Sequence, residues 1–492
     1  MADNEQPHFV LFPFMAQGHT IPMIDIAKLL AQRGVTVTLL MTPLNHIRVK
    51  PVLAKANHFG STIRVQELTF PAKEAGLPPH CENFDALPSN SLAFNFIYAT
   101  TLLQPQLETL LITMNPKPSC LLADMSFSYA SGVTRKLGIP RILFHGTCSF
   151  SLLCAHHIFN SNALETVSDL SDTFQVPHMP HEISFRASQV RATLSPDKSW
   201  NDFHRRLLED EKGSYGVVMN TFQELEPEYV REYEKAKEKK VWCVGPVSLC
   251  NEERSDKFAR GNPSSVDENE CLRWLDSWEP GAVIYACLGS LCNLPAAHML
   301  ELGAGLEASG RPFIWVIRAG GDIGGSKELK EMMAETGLEG RLKESWRGVV
   351  IWGWAPQLLI LSHPAVGGFL THCGWNSSLE GVTAGLPMLT WPLFSEQFYN
   401  EKLLVQVLRI GVPIGIERMM NFGKEDEAGG VQVNRERVKE GVEDLMDGGV
   451  EGLERRTRAK KLADMAKKAL QEGGSSHANI SKLIEDVRNF KA

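Results

Sequence analysis

The chain has 492 residues, too many for one hydrophobic core, since single cores stop growing at about 250–300 residues, so two domains of similar size are expected. Hydrophobic residues at 43% and charged residues at 22% exclude wholesale disorder, and a net charge of −8 with dispersed Lys and Arg excludes the basic face that nucleic acid requires. Ten cysteines scattered from Cys81 to Cys373, with no Cys-x-x-Cys pair and no His at zinc-ligand spacing, predict reduced, mostly buried thiols.

The N-terminus (Asp3, Asn4, Glu5, Gln6) lacks the basic start of a signal peptide. The apolar stretch after Phe9 is broken by Pro13, Gln17, His19 and Pro22, short of the ~20 residues of a membrane span. A cytosolic, freely soluble protein is expected. Short β-branched or aromatic runs, His8 to Pro13, Val35 to Met41, Ser119 to Asp124 and Arg141 to Phe144, then alternate with segments of helical period, the rhythm of βαβ units and a parallel sheet. In the first unit a strand ends near Phe14, a turn holds Gly18 and His19, and Ile21, Ile24, Ala27 and Leu30 mark one face of a helix that Gly34 stops. From Pro246 to Glu270 the pattern gives way to polar, Gly- and Pro-containing sequence, read as a linker. A second αβ series follows, with strands at Ala282 to Leu288, Phe313 to Ile317, Val349 to Trp352, Gly367 to Thr371 and Pro387 to Trp391. Gly320 to Lys327 and Gly423 to Gly430 read as exposed loops. The expected fold class is α/β: two doubly wound domains, 1–248 and 271–477, a linker at 249–270, and ligands at the carboxyl ends of the strands.

Chemistry concentrates between Trp354 and Gln397. A strand ending at Thr371, the turn His372-Cys373-Gly374 and a helix beginning near Asn376 place His372, Trp375, Asn376 and Ser377 where unpaired N–H groups and the helix dipole suit a phosphate. Ser377 and Glu380 equally fit a Ser-x-x-Glu capping box that needs no ligand. In the first half, His19 stands where the first strand meets the first helix, and a helix N-terminus favours the neutral imidazole that a general base requires. Asp124 ends another strand and can meet that ring at the same sheet edge to orient it, although taken alone each of the two is more often a helix-capping or loop residue than a catalyst. His156 and His157 are adjacent, point to different helix faces, and make a poor metal pair. No Asp-x-Asp suited to a divalent ion is found.

The segment Trp354-Ala355-Pro356-Gln357, His363-Pro364, Thr371 to Ser377, Glu380-Gly381, Pro387, Trp391-Pro392 and Glu396-Gln397 resembles the donor-binding signature of plant family 1 UDP-glycosyltransferases. The resemblance extends over nearly the whole chain, through Gly18-His19-x-x-Pro22, Val244-Gly245-Pro246 and Glu472-Gly473-Gly474-Ser475-Ser476. It implies the GT-B fold, two Rossmann-like domains facing a cleft, with the acceptor on the first, the donor on the second, and a final helix (Asn479 to Phe490, within 478–492) crossing back. By the same resemblance Trp354, with Ala355 beside it, stacks on uracil, and Gln357 and Glu380 hold the ribose. Ser290, His372, Asn376 and Ser377 take the diphosphate, Trp375 belongs to the donor site, and Glu396 and Gln397 reach the sugar. His19 is then the base and Asp124 its partner. Expected is a monomeric, metal-independent, inverting enzyme, with UDP-glucose as co-substrate and no cofactor, glucosylating a hydroxyl or carboxyl of a triterpenoid, steroid or flavonoid.

Phe84 to Phe96 and Phe144 to Phe159 are expected to supply aromatic side chains to the acceptor pocket, with helix core as the alternative fate. Two other classes compete. A nicotinamide-dependent oxidoreductase shares the architecture, but no Gly-x-Gly-x-x-Gly follows the first strand. A non-catalytic carrier of hydrophobic metabolites would bind without turnover, and an intact His19 and Asp124 count against it.

Overall fold

The computed structural model describes residues 6–58, 62–165, 167–190, 198–292, 294–318, 326–420 and 430–491. Most of the two glycine-rich stretches expected as loops, at 320–325 and 423–429, lies outside the described residues.

The first half folds around β1 (His8–Phe12), β2 (Thr36–Met41), β3 (Ile63–Glu67), β4 (Cys120–Asp124) and β5 (Arg141–His145). After the hairpin β6 (Thr173–Gln175) and β7 (Ser184–Arg186), β8 (Gly216–Met219) and β9 (Lys240–Cys243) complete a seven-stranded sheet of order β3-β2-β1-β4-β5-β8-β9. The second half carries β10 (Val283–Cys287), β11 (Phe313–Ile317), β12 (Gly348–Trp352), β13 (Val366–Thr371), β14 (Met388–Thr390) and β15 (Gly411–Pro413), in the order β12-β11-β10-β13-β14-β15. Every pairing within these two sheets is parallel. That explains strands such as β1 and β4 that are buried at every residue: helices cover both faces, so apolar runs need not alternate. Strand order reverses between β1 and β4 in one sheet and between β10 and β13 in the other, the two switch points at which such sheets bind ligands.

The first helix, α1 (Gln17–Ala31), begins earlier than the sequence suggests. Gly18 and His19 lie in its first turn instead of in a preceding loop, and Pro22 lies inside it. Lacking an N–H, Pro22 leaves the Gly18 carbonyl without its helical partner. The helix ends before Gly34, whose φ of +75° is the left-handed conformation glycine tolerates best.

The linker is not a bare spacer, since it holds a helix at Arg254–Ala259. The last helix, Ser475–Arg488, starts a turn earlier than expected and returns to the first sheet. There Asp486 accepts hydrogen bonds from Lys240 Nζ (2.6 Å) and Trp242 Nε1 (3.1 Å). One hydrophobic cluster runs from the helix Ser149–Phe159 and the β6–β7 hairpin into the second sheet, so the halves are fused along one side of the cleft. Asn400 reinforces this seam by accepting from Ser151 Oγ at 2.6 Å. All ten cysteines are free thiols, seven of them buried. Among the described residues no helix is long and apolar enough to cross a membrane.

Candidate active site

On the first sheet, β1 and β4 are adjacent, with Phe12 opposite Ala123. The third residue of α1 and the last residue of β4 therefore meet at one sheet edge, where His19 Nδ1 lies 2.7 Å from Asp124 Oδ2. Asp124 is fully buried, while the His19 side chain keeps 31% of its surface exposed. An ionised carboxylate can only accept, so Nδ1 carries the proton and Nε2 presents a lone pair to the cleft. Burial pulls the His19 pKa down, but the charge and hydrogen bond of Asp124, helped by the charge of Glu396, outweigh it and the pKa is raised above 6.5. The helix terminus is thus not the dominant influence expected for this ring. For Asp124, burial pushes upward, and His19 with the Ser126 N–H prevails to hold it below the usual carboxylate range. Arg141, buried beneath, donates from Nη2 to the Asp124 backbone carbonyl at 3.2 Å.

Across the cleft, β10 and β13 lie side by side with Cys287 opposite Thr371, which brings Ser290 and His372 to neighbouring strand ends. A Cβ on Gly289 would sit 2.5 Å from His372 Nε2, and one on Gly374 would sit 2.3 Å from the same atom. Both glycines are therefore there to seat the ring. Burial lowers its pKa to about 4, so it is neutral at physiological pH.

The helix Trp375–Ala384 is capped by Gly374 with no side-chain cap, so Ser377 and Glu380 form no capping box. Instead Gln357 gathers them: its Nε2 donates to Ser377 Oγ (3.1 Å) and Glu380 Oε2 (2.8 Å), while Tyr285 OH donates to its Oε1 (3.3 Å). Trp354 and the buried Ala355 stand immediately before this cluster. Glu396, half-buried, precedes the helix Gln397–Lys402. Gln397 Oε1 accepts from the N–H groups of Leu393 and Phe394, which leaves its Nε2 as the donor for a ligand.

Two of these residues also bond across the halves, which the sequence does not signal. The Trp375 indole is buried and donates to the Asn220 carbonyl at 2.7 Å, so its ring braces the two halves. Asn376 Nδ2 donates to the Gly18 carbonyl, the acceptor that Pro22 leaves free, and its Oδ1 accepts from Asn220 Nδ2 at 3.3 Å. The start of the helix Trp375–Ala384 is thereby pinned one residue from His19. Asn220 went unnoticed in the sequence, although its place just past β8, at the carboxyl edge of the sheet, is a usable signal.

The aromatic side chains of the two stretches differ in burial. Phe96, Phe144 and Phe150 are fully buried in core, whereas Phe84 and Phe94 are half-buried and Phe159 is exposed. Phe14, not anticipated, places its ring 5.3 Å from that of His19 and 5.8 Å from that of Phe84. Among the described residues no group of three or more His, Cys, Asp or Glu is arranged to hold a metal ion.

Two facing Rossmann-like domains, a His–Asp pair on one and a phosphate-ready helix terminus on the other, define a GT-B sugar-nucleotide transferase. Residues 5–249 match the family model "Glycosyltransferase, N-terminal domain", and residues 262–425 match "UDP-glucoronosyl and UDP-glucosyl transferase". UDP-glycosyltransferase 73C12 of Barbarea vulgaris is 50% identical over 481 residues, covering 98% of this chain and 96% of the relative. UDP-glycosyltransferase 73C3 of Arabidopsis thaliana is 51% identical with the same coverage. Among solved structures, Glycyrrhiza uralensis UGT73P12 complexed with glycyrrhetinic acid 3-O-monoglucuronide superposes with a TM-score of 0.90 at 36% identity, covering 98% of this chain and 96% of that one. Arabidopsis thaliana UGT89C1 complexed with quercetin gives 0.73 at 27% identity, covering 98% of this chain and 100% of that one. The chain belongs to the plant UDP-glycosyltransferases.

Proposed function

We propose that this enzyme is an inverting, UDP-glucose-dependent O-glucosyltransferase that acts without a metal ion on a bulky, largely apolar acceptor. The observation that carries this reading is the 2.7 Å His19–Asp124 pair with Glu396 of the opposite half close enough for its charge to act on the imidazole. Base and sugar-side carboxylate thus flank one reaction centre. Nε2 of neutral His19 takes the acceptor proton as the acceptor oxygen bonds to the anomeric carbon. The bond from that carbon to the diphosphate breaks on the opposite face, and UDP leaves with the electron pair. An α-linked donor gives a β-glucoside. The N-terminus of the helix Trp375–Ala384 and neutral His372 supply N–H donors to the departing charge, a role a divalent ion fills in other enzymes.

Support for an apolar acceptor comes from Phe14 beside His19 and the half-buried Phe84 against it, together with relatives that hold glycyrrhetinic acid 3-O-monoglucuronide and quercetin. Triterpenoids, steroids and flavonoids offer that combination of flat apolar area and a free hydroxyl. The working unit is taken as a cytosolic monomer, since one chain supplies both walls of the cleft. A panel of aglycones with labelled donors, read by mass, tests the whole reading. UDP-glucose should be preferred, a triterpenoid or flavonoid should turn over faster than simple sugars, and excess chelator should leave the rate unchanged. Preference for UDP-galactose or UDP-glucuronic acid overturns the donor, faster turnover of sugars overturns the acceptor, and loss of activity on chelation overturns the metal-free mechanism.

A further inference from the structure

The linker passes between the two halves of the site, and its residues are bonded to both. Arg260, whose side chain is 9% exposed, places Nε 2.9 Å from Asp25 Oδ2 on α1 and pairs through Nη1 with Glu380 Oε1. Both carboxylate side chains are largely buried, at 2% and 5% exposure. Gly261 packs against the Trp354 indole so closely that a Cβ there would lie 2.3 Å from Cζ2. Ser265 then exchanges two hydrogen bonds with the backbone of Trp354, Oγ accepting from its N–H at 2.9 Å and Ser265 N–H donating to its carbonyl at 2.8 Å.

We propose that Arg260 is a positioning residue for nucleotide binding, holding Glu380 for the ribose and tying it through Asp25 to the helix that carries His19. This rests on the reading of Glu380 as a ribose ligand. A guanidinium suits this role because it is planar, stays charged, and has five donors, so one side chain can serve two carboxylates. A buried carboxylate stripped of its cation is costly, and Gln357 is the only other side chain seen to donate to Glu380 among the described residues. Each carboxylate oxygen accepts more than one hydrogen bond, so pairing with Arg260 and Gln357 leaves acceptor sites for ribose hydroxyls. Placement matters as much as charge. Arg260 and Gly261 are consecutive, so the same few linker residues set the positions of Glu380 and Trp354, the two groups assigned to the nucleoside.

The test compares Arg260→Met, Arg260→Lys, Glu380→Gln and the Arg260→Met/Glu380→Gln double variant in the full chain. UDP affinity is measured by calorimetry, and KM for UDP-glucose and for the acceptor by steady-state kinetics. Arg260→Met should weaken UDP binding about tenfold or more, the scale of one buried charge-assisted hydrogen bond, with acceptor KM little changed. Arg260→Lys should recover part of the loss. The double variant should bind UDP about as well as Glu380→Gln alone, because the two residues act as a unit. If Arg260 were only a brace between the halves, thermal stability and both KM values would move together and the single effects would multiply; that result overturns the proposal. Weakened UDP binding in Glu380→Gln but not in Arg260→Met overturns it alone, whereas unchanged binding in Glu380→Gln overturns the ribose reading and this inference with it. Should Arg260→Met fail to fold, Arg260→Lys carries the same comparison, and wild-type UDP affinity in it counts against the proposal.

Discussion

The two walls of the cleft are built by different means. The donor wall is local in sequence: residues 354–397 contain nearly every group assigned to the nucleotide, and Gln357, Ser377 and Glu380 are already joined by hydrogen bonds. The proposed acceptor wall is assembled from afar, with His19 from α1, Asp124 from β4, Phe14 from the first loop and Phe84 from a short helical turn that follows β3 in the chain. A nucleotide makes the same demands in every relative, so its wall can be a fixed motif. An acceptor that varies is met by side chains on separate loops, each replaceable without disturbing the rest. Substitutions on the two walls should therefore separate in their kinetic signatures.

The sharpest separation is expected at the base. His19→Ala should lower kcat by roughly 100-fold or more, since general-base catalysis contributes about 10²–10⁴-fold. UDP affinity, measured by calorimetry, should stay near wild type, because the imidazole belongs to the acceptor wall. Near-normal turnover on a good acceptor would remove His19 from the mechanism.

Asp124→Asn should cost less than loss of the base, roughly tenfold to a hundredfold in kcat. Its informative readout is pH. The raised His19 pKa means that lowering pH through a value above 6.5 protonates the base, so wild-type kcat/KM should fall on that acid limb. Asparagine removes the larger charge that holds the pKa up, leaving burial, which lowers it, opposed by the smaller influence of Glu396. The acid limb should then move to lower pH even as the plateau drops. A limb that stays in place would mean another group titrates there.

On the donor wall, Gly374→Ala isolates the seat of His372. The backbone at Gly374, with φ of −59°, is open to any residue, so the only new feature is a Cβ 2.3 Å from the imidazole. Displacing that ring should raise the KM for UDP-glucose by about tenfold, close to 1.4 kcal/mol, with acceptor KM unchanged. Equal shifts in both constants would show that the two walls are not separable at this point.

The same contrast governs what could be read from the sequence. Nine strands are legible in the sequence to within a residue or two, because parallel strands buried on both faces announce themselves as apolar runs, whereas β3, β8, β9 and β15, toward the edges of the two sheets, and the β6–β7 hairpin are not. The donor motif was legible because it is contiguous. Elsewhere, signals were local and the answer was not. Pro22 and Gly18 look like helix breakers, yet α1 runs through both, since the freed Gly18 carbonyl is satisfied by Asn376 from the other half. Phe144 and Phe150 look like pocket aromatics, but Phe144 sits on a central strand and Phe150 packs into the seam between the halves. Arg260 left no trace at all: an Arg in a polar linker is ordinary, and only the folded chain sets it between two buried carboxylates.

The smallest effect is expected at the rim of the acceptor wall, where Phe84 tests whether that wall recognises its ligand by apolar area. Its ring is half-buried and stands 5.8 Å from Phe14 and 5.4 Å from Phe96, so it forms the outer member of a cluster whose inner member touches the base. Phe84→Leu keeps an apolar side chain and removes part of a flat one. Phe96, fully buried behind it, preserves the fold, so stability should change little. The lost contact is a fraction of a buried aromatic, on the order of 1 kcal/mol, which corresponds to roughly a fivefold rise in KM for a large polycyclic acceptor. A small phenolic acceptor, which presents less area to the rim, should respond less, and the KM for UDP-glucose should not move. If the donor constant shifts as much as the acceptor constant, Phe84 acts through closure of the cleft. If small and large acceptors shift alike, the rim does not read acceptor size and recognition lies deeper, beside Phe14 and His19.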